Sequence, residues 1–181
     1  MNKKMLVLAT VLITLFLLPL TLQAESGKFG LGARMGVYKS ADADGHKLYG
    51  GAQARWRIFP ALSVEGSIDY RVQESYPDNK KITSYPILAT ALFYPIPDAK
   101  YSPYLLGGLG WYYSKVEDKT GSSTVHTPGL HVGAGLDIPL SPEISFNADF
   151  RYYFLNYSDQ KVKDLKTNGY IISAGLTFYL W

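Results

Sequence analysis

Apolar and polar residues alternate one by one through most of the chain after Glu25. Side chains of a β-strand point in turn to the two faces of a sheet, so a period of two predicts strands with one apolar face. The stretch 63–71, SVEGSIDYR, shows the pattern clearly. One face carries Val64, Ile68 and Tyr70, and the other carries Glu65, Asp69 and Arg71.

Eight segments of this kind follow one another, and no helical periodicity competes with them. They cover residues 28–38, 48–58, 62–72, 82–94, 103–115, 129–140, 144–154 and 169–180. The fourth segment is ambiguous, because both of its faces are apolar and because Pro86 weakens a strand assignment. The sequence therefore predicts an all-β fold with an even number of strands.

The connections alternate in length and composition. Three short ones contain proline and follow the second, fourth and sixth strands, at 59–61, 95–98 and 139–142. The others are longer and polar, at 39–47, 73–81, 116–127 and 156–168. Short turns on one rim and long loops on the other are typical of an outer-membrane barrel, with the short-turn rim in the periplasm.

Alternation alone does not distinguish a membrane barrel from a soluble, lipocalin-like barrel with an apolar interior. The charged residues do. All five arginines lie on the polar face of a strand, and four acids share that face, whereas the lysines that follow the first 24 residues lie in loops, turns or strand ends. This predicts a polar lumen with a balanced ion-pair network of planar, multidentate arginines. Its members are Arg34, Arg55, Arg57, Glu65, Asp69, Arg71, Asp137, Asp149 and Arg151.

Aromatic residues on the apolar face gather toward the strand ends, and aliphatic residues occupy more of the middles. Two levels of rings with aliphatics between them are the interfacial girdles of a membrane barrel. We therefore predict an eight-stranded antiparallel transmembrane up-and-down β-barrel.

The first residues have the order of a secretory signal peptide. A basic start is followed by the apolar run 5–20 and by a small residue, Ala24. The apolar run is shorter than the roughly 20 residues of a spanning helix. We expect a cleaved signal peptide at 1–24, a barrel at 25–181 and residence in the bacterial outer membrane. Cleavage removes Lys3 and Lys4 from a chain of 18 basic and 15 acidic residues, so near-neutrality argues against a nucleic-acid partner.

With these features the chain resembles the small outer-membrane barrels of the OmpA/OmpX type. The resemblance covers residues 25–181 and includes SPYLLGGLG at 102–110 and AGLTFYLW at 174–181. In that family a C-terminal aromatic residue is recognised by the barrel assembly machinery. The resemblance implies that Phe178, Leu180 and Trp181 form the assembly signal, although Trp181 lies one residue out of the apolar register. It also implies outer-membrane lipid and lipopolysaccharide as partners.

Catalytic chemistry finds little support in the sequence. Some similar barrels modify lipid A with a histidine and a serine, but here His131 and Ser114 both lie on the polar face, away from an acyl chain. Metal ligands are not clustered and no phosphate-binding loop is present, so we expect no metal and no cofactor. The prediction is a non-enzymatic barrel that stabilises the envelope or binds through its surface loops. A small pore and a lipid A-modifying enzyme remain the alternatives, and the surface partner is unknown.

Overall fold

The computed structural model describes residues 27–76, 80–97, 99–118, 121–155 and 168–180, which form eight strands. The predicted signal peptide and Trp181 lie outside the described residues, as does all of the predicted loop 156–168 except Asn168. The strands are β1 Phe29–Ser40, β2 Lys47–Phe59, β3 Leu62–Tyr76, β4 Lys80–Phe93, β5 Ser102–Asp118, β6 Gly121–Pro139, β7 Ile144–Leu155 and β8 Gly169–Leu180. Within this part of the chain there is no helix that is both long and apolar enough to cross a membrane.

Each strand pairs antiparallel with its neighbour in sequence, and β8 closes the sheet on β1. This confirms the predicted all-β, eight-stranded up-and-down barrel. One row of paired residues can be followed around the whole wall: Phe29, Trp56, Val64, Ala91, Gly107, Val132, Tyr152, Tyr170 and Lys39. The row starts at position 29 of β1 and returns at position 39, a displacement of ten residues. Such a stagger tilts the strands by about 40° and leaves an interior that side chains fill.

Apolar side chains cover the outside of the barrel, as the alternation predicts. Met35, Leu109 and Ile68 are more than 60% exposed. Tyrosines form an outer ring toward the long-loop rim, where Tyr70 and Tyr85 lie 5.3 Å apart and Tyr152 pairs with Tyr170. Toward the short-turn rim the outward rings include Phe29, Trp56, Phe93 and Phe178. Two aromatic levels with aliphatic residues between them match the cross-section of a bilayer.

Two of the predicted long loops are wrong. The segments 73–81 and 116–127 lie mostly in strands, because β3 runs on to Tyr76 and β6 begins at Gly121. Above the tyrosine ring, β3, β4, β5 and β6 continue together as a sheet that we call the protruding sheet. The inner face of the protruding sheet buries Ile82, Val116 and Val125 against Ala43. This small apolar core explains why segments with loop-like composition fold as strands.

The ambiguous fourth segment is a strand with a clear inside. Leu88 and Leu92 are buried in the lumen, whereas Ile87 and Phe93 face outward. Pro86 is accommodated because the β3–β4 ladder passes from the Ile68–Ile87 pair to the Arg71–Ser84 pair around it. Proline has no N–H to donate, so an interruption of the ladder removes the conflict.

Candidate functional site

The lumen is filled by charged side chains that converge on Glu65 of β3. Its carboxylate accepts hydrogen bonds from three arginines: Arg34 Nη1 at 3.2 Å, Arg55 Nη2 at 2.7 Å and Arg151 Nη2 at 2.9 Å. Glu65 and Arg55 are fully buried, and the other two arginines nearly so. Arginines from β1, β2 and β7 are therefore joined through one carboxylate on β3.

Each of these arginines also contacts a second acid. Arg34 donates from Nε and Nη2 to the two carboxylate oxygens of Asp69, at 2.9 and 2.7 Å. Arg151 likewise donates from Nε and Nη2 to the two carboxylate oxygens of Asp149, at 2.7 and 3.0 Å. Such two-pronged pairs fix orientation as well as charge. The pairing leaves these acids and arginines bonded to each other across the lumen.

The lower part of the network lies toward the short-turn rim. Arg55 Nη1 donates to Asp137 Oδ2 at 2.8 Å, and Tyr94 donates its hydroxyl to the same oxygen at 2.7 Å. Tyr104 donates to Asp149 Oδ2 at 3.1 Å. Buried charges are tolerated only when their remaining hydrogen-bonding capacity is used, and these tyrosines supply it.

Arg57 and Arg71, the two remaining arginines of the predicted network, lie against tyrosine rings. The guanidinium of Arg57 lies 5.3 Å above the ring of Tyr94. Arg71 lies 4.5 Å from the ring centre of Tyr153 and is also flanked by the rings of Tyr38 and Tyr112, at 5.2 and 5.1 Å. Its Nε and Nη2 find no hydrogen-bond acceptor among the described residues. Arg71 is thus held by cation–π contacts.

Tyrosine is the residue type that sequence reasoning missed inside the barrel. Among the side chains that the structure describes, seven tyrosines point inward: Tyr38, Tyr49, Tyr94, Tyr104, Tyr112, Tyr153 and Tyr179. Their position on the same face as the arginines was a usable signal, but the predicted lumen network was assembled from charged side chains alone. Glu74 was also missed, since it falls in a segment predicted as loop. It accepts hydrogen bonds from the backbone and hydroxyl of Ser40, at 2.9 and 2.7 Å.

The residues of the enzymatic alternative are not assembled into a triad. His131 is buried, and its Nε2 is hydrogen-bonded to Thr90 at 2.9 Å. Ser114 is hydrogen-bonded to Ser84 at 2.8 Å, so the two candidates have different partners. No group of three or more potential metal ligands occurs among the residues that the structure describes.

The protruding sheet carries an exposed pair of charged side chains. Lys115 Nζ lies 2.7 Å from Glu117 Oε1, and both side chains are well exposed. The hydrogen bond from Lys115 lowers the pKa of the Glu117 carboxyl. Exposed pairs of this kind contribute little to stability, so they define surface chemistry more than folding.

Of the expected assembly signal, Phe178 and Leu180 lie in β8 with exposed, outward side chains. Phe178 pairs with Leu31 of β1, and Leu180 pairs with Phe29. Both therefore lie on the closing seam of the barrel.

Comparison with known proteins places this geometry in context. The family model described as "Outer membrane protein beta-barrel domain" matches residues 8–178. No curated protein sequence matches the chain significantly.

Several solved structures have the same fold. Neisserial surface protein A superposes with a TM-score of 0.62 at 19% identity, covering 84% of this chain and 96% of that one. The N-terminal barrel of Pseudomonas aeruginosa OprF gives a TM-score of 0.62 at 11% identity, with coverage of 85% and 99%. Ail of Yersinia pestis, solved with the heparin analogue sucrose octasulfate, gives 0.54 at 18% identity, with coverage of 86% and 98%. At these identities the likeness concerns the fold.

Proposed function

Because the chain belongs to the outer membrane protein β-barrel family, we propose that it is a non-enzymatic barrel that binds a partner at the cell surface through its protruding sheet. The observation that carries the proposal is the position of the protruding sheet, which continues β3 to β6 beyond the outer tyrosine ring and therefore beyond the level of the lipid headgroups. A partner at the cell surface could reach the outward side chains of this sheet without displacing lipid.

The paired strands β5 and β6 give this sheet an ordered outward face. Along β6 the outward side chains are Ser122, Thr124 and His126, which are exposed and polar. The inward side chains Val125 and Thr127 are buried. The outward face is thus held in extended form before a partner arrives, which reduces the entropic cost of binding.

The filled lumen supports a binding role over a pore. Buried salt bridges connect Glu65 to Arg34, Arg55 and Arg151 across the interior. Eight strands leave an interior that side chains fill, so conduction would require several of these pairs to break together. The distinct hydrogen-bond partners of His131 and Ser114 likewise disfavour a lipid A-modifying enzyme.

The name of one protein with a similar fold fits the proposal. Ail is the attachment invasion locus protein, and its structure contains a heparin analogue. We expect this chain likewise to engage an extracellular macromolecule, after export by its N-terminal signal peptide and insertion by the barrel assembly machinery.

The test shortens the hairpin and leaves the barrel wall intact. Residues 116–123 are replaced by Asn-Gly, which joins Lys115 to Thr124, a cross-strand pair, through a tight turn. Cells that display the wild-type chain should adhere to immobilised matrix glycoproteins or heparin, and cells with the shortened variant should lose at least fivefold in retention. Heat-modifiable gel migration checks that both barrels fold. Equal retention by the two strains would overturn the proposal.

Two further measurements separate the alternatives. Single-channel recording in planar bilayers would detect a pore, and mass spectrometry of lipid A from cells with and without the gene would detect lipid A modification. Steady conductance by the wild-type chain, or a changed lipid A mass, would favour those roles over surface binding.

A further inference from the structure

A cleft of about 250 Å³ lies on the outer wall of the barrel where β7, β8 and β1 meet. Its side chains include Lys39, Tyr152 and Tyr170, and the backbone at Ser40–Ala41 and Asn168–Gly169 completes the wall. The cleft is separate from the protruding sheet, which β3 to β6 form. It therefore offers a site that does not depend on the proposed surface binding.

The cleft is built on directly paired residues. Tyr152 pairs with Tyr170 across β7 and β8, and Tyr170 pairs with Lys39 across β8 and β1. The Tyr170 hydroxyl is hydrogen-bonded to His46 Nε2 at 2.5 Å. The backbone N–H of Ala41 donates to Asn168 O at 2.8 Å and joins the two strands above the cleft. The cleft is therefore held in shape by the barrel wall.

The position of the cleft limits the classes of ligand that can bind there. Tyr152 and Tyr170 belong to the outer tyrosine ring, which is the level of the lipid headgroups. Lys39 is the last outward position of β1 at that level, so its stem can lie along the wall while the ammonium reaches the interface. On the long-loop side of an outer membrane, the headgroups at this depth are phosphorylated sugars.

We propose that this cleft binds the phosphorylated glucosamine headgroup of lipopolysaccharide. The Lys39 ammonium pairs with the phosphate, a charge-assisted contact that lysine makes as a point charge. The rings of Tyr152 and Tyr170 form a shelf for the sugar, since an aromatic face provides apolar contact and a phenol provides a hydrogen bond. The cleft volume suits one sugar unit with its phosphate.

The experiment compares two lysines. Lys115 makes a suitable control because it lies on the same long-loop side but is 2.7 Å from Glu117 and outside the cleft. Wild type, Lys39→Gln and Lys115→Gln are purified in detergent and titrated with diphosphorylated lipid A, and bound lipid is counted by native mass spectrometry. We expect at least a fivefold loss of binding for Lys39→Gln, little change for Lys115→Gln, and partial recovery for Lys39→Arg.

Two controls make the result decisive. Lipid A without phosphate and phosphatidylglycerol should each bind at least fivefold more weakly to wild type than diphosphorylated lipid A. Equal binding of the dephosphorylated form would overturn the phosphate assignment, and equal binding of phosphatidylglycerol would overturn the assignment of the sugar. Equal losses for Lys39→Gln and Lys115→Gln would overturn the site. Heat-modifiable migration on gels confirms that each variant is folded.

Discussion

Arg55 and Glu65 lie directly opposite each other on β2 and β3, with Arg55 Nη2 2.7 Å from Glu65 Oε2. The alternation of the two strands allows either Arg55 or Arg57 at this position. The short turn and the register shift between Arg57 and Phe59 select Arg55 and place Arg57 opposite Ser63. The pair then anchors the whole network, because the same carboxylate also holds Arg34 and Arg151.

Neutralising Glu65 should destabilise the barrel strongly. Glu65→Gln leaves three buried guanidinium groups with less negative charge to balance them, and breaking one buried pair costs about 3–5 kcal/mol. Urea unfolding in micelles should therefore show a loss of that size in the free energy of unfolding. Glu117→Gln is the matched control, since its pair with Lys115 is exposed, and it should leave the free energy of unfolding nearly unchanged.

A compensated variant tests whether charge balance is the reason. Glu65→Gln combined with Arg55→Met removes both partners of one pair and should recover part of the loss. If Glu65→Gln unfolds like wild type and does not raise bilayer conductance, the network does not support the barrel as argued.

Neutralising Arg71 should change the stability of the barrel less than neutralising one of the paired arginines. Three tyrosine rings surround it, and Nε and Nη2 have no acceptor among the described residues. Arg71→Met removes a poorly compensated charge and should change the free energy of unfolding by less than about 2 kcal/mol, whereas Arg71→Lys keeps the charge and loses the planar stacking. Arg151→Met should lower the free energy of unfolding more than Arg71→Met, because it leaves Glu65 and Asp149 without their Arg151 partner. The reverse order in urea unfolding would contradict this.

The barrel itself could be predicted because period-two alternation reports directly on which face a side chain occupies. Arg34, Arg55 and Arg151 are therefore inside, as the pattern indicates. The protruding sheet could not be predicted in this way. Val116 and Val125 stabilise it by packing against Ile82 and Ala43. These segments are distant from one another in the sequence, so the alternation does not reveal the contact.

The alternation also could not predict which side chains contact one another within the lumen. The alternation predicts that the side chain of Arg71 points inward, but the stagger of the barrel decides which aromatic rings lie at its level. A row of paired residues is displaced by ten residues after one circuit of the wall. Tyr153 of β7 therefore comes level with Arg71 of β3, although the two strands are not adjacent.

The orientation of the barrel yields a prediction on intact cells. The proline-marked turns should face the periplasm, and the β5–β6 hairpin should face the medium. An epitope that replaces residues 119–120, between Asp118 and Gly121, should be labelled by antibody on intact cells. One inserted after Pro97 should be labelled only after the outer membrane is permeabilised. Labelling in the reverse pattern would mean that the orientation is wrong.

Two glycines offer a matched test of lumen packing against lipid exposure. A Cβ added at Gly133, on the inner face of β6, would lie 2.0 Å from the carbonyl oxygen of Phe150, which is backbone and cannot yield easily. A Cβ added at Gly66, on the outer face of β3, meets nothing within 4 Å. Gly133→Ala should therefore cost about 1–3 kcal/mol in unfolding free energy.

Gly66→Ala should instead be neutral or stabilising by up to about 1 kcal/mol, because alanine restricts the unfolded chain and finds free space in the folded one. Both variants change one hydrogen to a methyl group in the middle of a strand, so intrinsic strand preference affects them alike. Urea unfolding of the two variants in the same micelles measures the difference. Equal stability of Gly133→Ala and Gly66→Ala would show that the inner wall is less tightly packed than the Gly133–Phe150 contact requires.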